Sequence, residues 1–417
     1  VSSAKHGPFR TIVEKEIAAN LLSYKFFIVI LLASVLIFTS LFVMARDFKA
    51  RTADYQLIKP QPGEPSAVLP LNPLSVFAKG LEDSITRSYE LNFNGIETRT
   101  GRSSVNSVFD FFPAPDFVYI IKVVLSLVAL LFGFDLISRE KEAGTLKLTL
   151  ANPVSRAALL AGKWVGNLLS LAVPFLLVTG IGIALLSLDP AFRLTASGLG
   201  RLALILVLSL TYMALFLSLG LFISTVTKRS SSSLVILLLI WAAMVFILPN
   251  LGTLLARQIV ELPSVRALQE KRDQIWTREV LLSYADRSTW DARLAAMNDE
   301  IDRLEEDYRQ KFGRLVRLAK SFNRVSPAAS FVYAVTEIAG TGIGEESRLK
   351  GEVIRYKNRV LSSGTLEGKR APAFIYAYRS VGNVLAEGGM FDIAWLLVFN
   401  IIIFAAGYAA VIRYDVR

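Results

Sequence analysis

Cysteine is absent from the 417 residues, and histidine occurs once, as His6. Without thiols there are no disulfides, no thiolate metal sites and no thiol nucleophile. A single histidine leaves no His pair for zinc and no converging groups around which a His general base could be built. A phosphate-binding loop is also missing. It needs Gly-x-x-x-x-Gly-Lys followed by Ser or Thr. The nearest approach, Gly162-Lys163-Trp164, has Ala157 at the earlier glycine position and Trp164 at the hydroxyl position. Gly340, Gly342 and Gly344 do not make a dinucleotide loop either, because Glu345 stands where the third glycine belongs. The chain is therefore expected to hold no cofactor and no metal and to catalyse nothing itself.

Acidic residues number 35 against 46 basic ones, a net charge of +11. In a soluble chain this excess would suggest nucleic acid. Here the basic residues flank apolar runs, as the positive-inside rule expects, so no nucleic-acid partner is expected.

Hydrophobic residues make up 53% of the chain, concentrated in runs long enough to cross a bilayer. Six such runs are predicted: Phe26–Ala45, Phe117–Ile137, Val165–Ser187, Leu202–Val226, Leu234–Leu255 and Ile393–Ile412. Pro249 and Asn250 mark a kink or the end of the fifth. The first run is long enough to span and is followed by no small-residue cleavage site, so no cleavable signal peptide is expected. Before it, Val13, Ile17, Leu21 and Tyr24 recur at helical spacing, which predicts an amphipathic helix over 8–24 lying on the membrane surface. The predicted fold class is all-α: six transmembrane helices led by an interfacial helix within 1–25.

Basic residues place the short segments. Lys5, Arg10, Lys15 and Lys25 precede the first run; Arg139, Lys141, Lys147, Arg156 and Lys163 lie between the second and third; Lys228 and Arg229 separate the fourth and fifth. These belong on the cytoplasmic side, with both termini. Residues 46–116 and 256–392 are then extracytoplasmic, and 117–255 holds the second to fifth spans. The sixth span and a cytoplasmic tail occupy 393–417. The first outer segment, rich in Pro60, Pro62, Gly63, Pro65, Pro70 and Pro73, reads as irregular, with some strand or short helix near Ser75–Arg99. The second reads as a helical hairpin. Pro263 suits a first helical turn, and Ser288 with Asp291 resembles a capping box. Leu294, Met297, Ile301, Leu304 and Tyr308 step by three and four, the seam of a helix against a partner helix. The turn is expected near Ser283–Ser288. The run Glu305-Glu306-Asp307 is a solvated face, since hard-cation sites need convergent oxygens.

The informative stretch runs from Asp135 to Lys163 and contains the elbow, 138–163. Arg139, Glu140, Lys141 and Glu142 alternate in charge. Gly144 breaks the helix, and a short helical piece follows at Thr145–Leu150. Asn152 is expected to cap a new helix with Pro153 at its first position, running through Arg156 and Lys163 into the third span. The product is a short, rigid, charged elbow between two membrane helices.

Asp135, Glu140, Glu142, Gly144, Thr145, Leu146, Pro153, Arg156, Gly162 and Lys163, in this spacing, resemble the permease subunits of ABC type-2 exporters. The resemblance covers the spans and the elbow. A subgroup with large outer insertions is similar at Ser326-Pro327-Ala328-Ala329-Ser330, at Glu337 to Gly342 and at Arg413-Tyr414-Asp415-Val416-Arg417. The resemblance implies that Arg139–Arg156, with Arg139, Glu140, Lys141, Glu142, Gly144, Thr145, Leu146, Pro153 and Arg156 as its site residues, contains a coupling helix seated in a cytoplasmic ABC ATPase. ATP and Mg would be bound by that ATPase. A second permease, identical or similar, completes the pathway in the bacterial inner membrane, in contact with membrane lipid.

Two functions follow. One is ATP-driven export. The other is mechanotransmission, in which the movement passes to an extracytoplasmic protein and no substrate crosses. An intramembrane enzyme is disfavoured, since no span carries paired carboxylates or a nucleophile with a base; Lys122 and Asp135 lie near span ends, where snorkelling accounts for them.

Overall fold

The computed structural model describes residues 7–58, 64–82, 88–92, 95–99, 115–151, 154–285, 290–362 and 371–413. Among them six helices are long and apolar enough to cross a membrane: Phe26–Gln56, Phe117–Glu142, Arg156–Ser187, Ala196–Val226, Ser230–Ile259 and Val381–Ile412. The protein is an all-α membrane protein with a small added sheet. The chain divides into two compact units, one made of Val1–Trp241 and Ser330–Arg417, the other of Ala242–Ala329.

In the first unit, α1 (Pro8–Leu21) starts with proline in its first turn, where the missing N–H costs nothing. The first span, α2 (Tyr24–Ile58), continues past the expected end at Ala45. Its continuation is amphipathic: Phe48 is buried and Arg51 pairs with Asp47 one turn back, at 3.1 Å. The second span is built from α3 (Phe117–Ile120), a π turn over Ile121–Leu125, and α4 (Ser126–Gly133). Asp116 caps it, accepting from Tyr119 N and, through its other oxygen, from Lys79 N. Burial nevertheless keeps the Asp116 carboxyl above its ordinary value, against those hydrogen bonds and the nearby Lys79 charge.

Two elbow helices, α5 (Ser138–Glu142) and α6 (Thr145–Ala151), lead to the third span, α7 (Arg156–Ser187). The fourth span is α8 (Ala196–Val226), capped by Thr195, whose hydroxyl accepts from Gly198 N. It packs against the second and sixth spans. Its crossing with the second span is set by glycine: a Cβ on Gly133 would lie 2.9 Å from Gly220 Cα, and one on Gly220 would lie 2.7 Å from Gly133 Cα. Only backbones without side chains approach this closely. Several polar side chains in the spans find partners in neighbouring spans: Tyr212 donates to Lys122 O at 3.1 Å, Trp164 to Ser218 Oγ at 2.9 Å and Asn400 to Thr211 O at 2.9 Å.

At the end of these spans away from the elbow, both predicted outer segments contribute to one layer. Strands β1 (Ser66–Ala67), β2 (Ser88–Asn92) and β3 (Gly95–Arg99) form an antiparallel sheet in that order, with Ala67 opposite Tyr89 and Tyr89 opposite Thr98. Ala67, Leu69 and Tyr89 share a core with Leu349, Val353, Tyr356 and Val360. Of the strand or short helix expected near Ser75–Arg99, the described residues hold the strands β2 and β3, and a 3₁₀ turn over Pro73–Val76 precedes them.

In the second unit, a π turn over Ala243–Ile247 absorbs Pro249, and α10 (Leu248–Ile259) carries on instead of ending there; it follows α9 (Ser230–Ala242). Next come α11 (Val265–Ala285) and α12 (Trp290–Asn323), which pack together. Ser264 rather than Pro263 opens α11: its hydroxyl accepts from Ala267 N. The predicted turn near Ser283–Ser288 and the capping box at Ser288 fall largely outside the described residues. Met297 of the seam is buried, and Ile301, Leu304 and Tyr308 are half-buried. The acidic run is paired along the surface: Glu305 with Arg272, Glu306 with Arg309, Asp307 with Lys311. Gly252 lets α10 close on Asn323 of α12, where a Cβ would meet backbone and side chain at once.

Candidate functional site

The elbow begins where the second span ends. The amides of Ile137 and Ser138 both donate to Ser224 Oγ, each at 2.9 Å, which fixes α5 against the end of the fourth span. Its four consecutive charges then diverge around the short helix. Arg139 is exposed. Glu140 points back to Lys163 of the third span at 2.8 Å, and Lys163 also pairs with Glu16 of α1 at 3.0 Å. Lys163 is only 5% exposed, so a buried cation is held between two partly buried carboxylates. Lys141 donates to the carbonyls of Thr225 and Thr227, the unsatisfied C-terminal end of α8. Glu142 accepts from the amide and hydroxyl of Ser230, at 3.2 and 3.1 Å, which places a negative charge at the N-terminus of α9.

Gly144 then reverses the chain at φ +71°, a left-handed conformation that suits glycine. After it, α6 buries Leu146 in a small apolar recess with Ile137, Leu159, Leu160 and Val411. Thr145 and Lys147 are exposed, and Leu148 is 71% exposed. Asn152 and Pro153 lie outside the described residues. The helix expected to start at Pro153 starts at Arg156, because Ser155 is its cap: the Ser155 hydroxyl accepts from Ala158 N at 3.1 Å. Arg156 donates to Val411 O, at 3.0 Å, and to Ile412 O, the C-terminal end of the sixth span's main helix, α16 (Met390–Ile412).

The structure thus brings Glu140, Lys141, Glu142, Leu146 and Arg156 into contact with spans, and leaves Arg139, Gly144 and Thr145 on the surface. The two carboxylates of the elbow, Glu140 and Glu142, are both engaged with the neighbouring helices.

The reading also missed that α1 belongs to this site. A Cβ on Gly162 would lie 2.8 Å from Ile12 Cγ2, and one on Gly166 would lie 2.7 Å from Glu16 Cβ. Two glycines four apart therefore form a groove in which α1 lies. Asn20 donates to Asn167 Oδ1 at 2.9 Å, and Asn167 donates to Glu16 at 3.2 Å. The spacing Gly162-x-x-x-Gly166 was the available signal.

A family model described as ABC-2 family transporter protein matches residues 10–416. Over 111 residues the chain is 36% identical to a protein of Pseudomonas aeruginosa named probable ABC transporter permease protein NosY; the match covers 26% of this chain and 40% of that protein. Over 65 residues it is 43% identical to a protein of the same name from Stutzerimonas stutzeri, covering 16% of this chain and 23% of the relative. The chain therefore spans less than half the length of these curated relatives. The match of the family model across the six spans and the elbow makes this protein a member of the ABC-2 family of transporter proteins, a multi-pass membrane protein.

Proposed function

We propose that the chain is the permease subunit of an ATP-driven exporter. A separate ATPase docks on the exposed side of the elbow, and a second permease, identical or similar, completes the pathway. The observation that carries this reading is the number of helices one small element holds. Glu140 reaches the third span at Lys163, which in turn holds Glu16 of α1; Lys141 reaches the fourth, Glu142 the fifth and Arg156 the sixth. Force applied to such an element reaches all of them together. Its solvent face carries Arg139, Thr145, Lys147 and Leu148. An exposed leucine between polar neighbours suits an anchor for a hydrophobic groove in a partner.

On this reading the elbow and both termini are cytoplasmic in a bacterial inner membrane, and ATP with Mg resides in the ATPase. The second reading is mechanotransmission to an extracytoplasmic protein. The layer shared by both outer segments and the 34-residue helix α12 favour it.

The test is purification of the tagged chain from its own membranes, with identification of bound proteins. An ABC ATPase should accompany the parent, and Leu148→Asp should lose it. Retention of the ATPase by Leu148→Asp, or its absence from the parent, overturns the docking assignment. An extracytoplasmic protein held in the same complex would turn the balance to force transmission.

A further inference from the structure

Between α14 (Ile343–Ser362) and the short helix α15 (Val381–Val384) that opens the sixth span, residues 371–380 run without turn or bend. Their side chains alternate. Phe374, Tyr376 and Tyr378 are half-buried and pack on the core that the sheet shares with α14. Ala373, Ile375 and Ala377 are exposed, Ile375 to 80%. A period of two is that of an extended strand. Side chains of neighbouring elements hold the segment in place. Tyr356 donates to Pro372 O at 2.8 Å and Arg348 to Ala377 O at 2.5 Å. Tyr376 donates to Glu345 at 2.6 Å and Tyr378 to Pro70 O at 2.8 Å. At its end, Arg379 is seated on Glu345 and on Glu337 of α13 (Pro327–Ala339), at 2.8 and 3.1 Å, and Arg201 of the fourth span donates to Arg379 O.

The strand is nevertheless unpaired. In an extended chain the amide and carbonyl of each residue share an edge, and successive residues use opposite edges. Ala377 O and Arg379 O, on one edge, accept from Arg348 and Arg201. On the other edge, the amides and carbonyls of Phe374, Tyr376 and Tyr378 have no hydrogen-bond partner among the described residues. Proteins blunt a free edge with charge, proline or a bulge. Residues 373–378 contain no charged residue, no proline and no glycine. A straight, preformed and unprotected edge is the feature to which an extended chain adds as a further strand.

The order of residues along the edge favours one occupant. Ile375 has alanine two positions away on each side, Ala373 and Ala377. Laid antiparallel on a second copy about Ile375, the segment sets isoleucine against isoleucine and Ala373 against Ala377. In that register Phe374 and Tyr376 face each other as hydrogen-bonded pairs, on the edge that is free, and no charge meets a like charge. Two identical antiparallel strands are related by a two-fold axis, the symmetry of most protein dimers. A foreign strand would find no charge here to fix its register.

We propose that residues 373–378 pair with the same residues of a second copy of this chain. The proposal rests on the reading of a paired permease, and adds that the partner is identical and where the two outer layers meet. About four hydrogen bonds join the strands in this register. A stable interface takes about 1,000 Å² or more of buried surface, so the strands set the register of a pair held mainly elsewhere.

The absence of cysteine makes the test direct. The full chain is oxidised mildly in its own membranes and resolved without reductant. Ile375→Cys should give a disulfide-linked dimer, because a non-hydrogen-bonded antiparallel pair brings Cα atoms to about 4.5 Å, within disulfide reach. Ala373→Cys alone should link at least about tenfold less, since its counterpart lies four residues along, roughly 13 Å away. Coexpressed Ala373→Cys and Ala377→Cys chains should link to each other. Equal linking in Ile375→Cys and Ala373→Cys signals random collision and overturns the pairing, and so does a link from Ile375→Cys to a different protein. If Ile375→Cys fails to reach the membrane, absence of the link between Ala373→Cys and Ala377→Cys overturns it. The native mass of the parent complex separates this failure from that of the wider reading. Two copies without the Ile375→Cys link, or one copy beside a different permease, overturn the strand pairing alone. A single copy without any second permease overturns both.

Discussion

Glu140 and Lys163 lie 2.8 Å apart, and Lys163 is also held by Glu16, so the elbow and α1 are joined through a side chain of the third span. Removing the cation leaves two partly buried carboxylates facing each other. Lys163→Met should therefore destabilise the packing of α1 by about 3 to 5 kcal/mol, the usual cost of breaking a buried pair. Adding Glu16→Gln should restore part of it. The check is maleimide labelling of a single cysteine at Ile12, which faces Gly162. Labelling should rise in Lys163→Met and fall again in the double variant. No change in labelling would show that α1 is held by packing alone.

The glycine crossing of the second and fourth spans should tolerate no added volume. Gly220→Val should cost at least about 1 to 3 kcal/mol, as overpacking does, because the obstruction is the Gly133 backbone itself and cannot rotate away. A denaturation midpoint in detergent measures it. Gly180, with nothing within 4 Å of its Cβ position, is the control; Gly180→Ala should be neutral or slightly stabilising in its helix.

Acid should loosen the layer around Glu345. Burial alone would raise that carboxyl, but hydrogen bonds from Arg348, Tyr376 and Arg379 outweigh burial and hold it below its ordinary value of 4.5. A lowered folded value means that the stabilisation is complete above about pH 4.5 and is lost as pH falls through the folded value. Thermal unfolding followed from pH 7 to pH 3 should show this acid limb, and Glu345→Gln should be less stable at pH 7 and show a shallower limb. An identical limb in both proteins would assign the acid sensitivity to other groups.

Burial of the α12 seam is open to test by proteolysis. Ile301→Asp with Leu304→Asp should make α11 and α12 sensitive to protease in membranes, since each apolar side chain contributes roughly 1.5–3 kcal/mol when fully buried and these are half-buried. The six spans should remain inserted, because insertion depends on the apolar runs. Parent-like resistance would mean that the seam carries no packing energy.

Orientation is tested with a single cysteine at Ser231, an exposed position at the start of α9. In intact cells a membrane-impermeant reagent should not reach it. Labelling from outside would invert the assigned topology.

The six spans were legible because a run of apolar residues has few alternatives in water. Their ends were less so. Arg46–Ile58 carries charge and so ended the predicted first span at Ala45, yet Asp47 and Arg51 satisfy each other and the helix continues. Pro249 was expected to bend or end the fifth span; a π turn before it allows the helix to go on. The elbow's existence and its break at Gly144 were readable from the sequence. The direction of its charges was not, because Glu140 and Glu142 find their partners 23 and 88 positions away, in Lys163 and Ser230. The joining of both predicted outer segments in one core likewise depends on residues far apart in the chain, such as Ala67 and Leu349, which no local periodicity reveals.

The 35 residues of α2 form an uninterrupted rod, about 52 Å long at 1.5 Å per residue. The hydrocarbon layer is about 30 Å thick, so some 20 Å of the rod stands clear of it. A stiff rod amplifies angle into distance: a tilt of about 10° carries its far tip roughly 9 Å sideways relative to its near end. The first span is thus geared, turning a small rocking motion at one membrane face into a displacement at the other as wide as a helix.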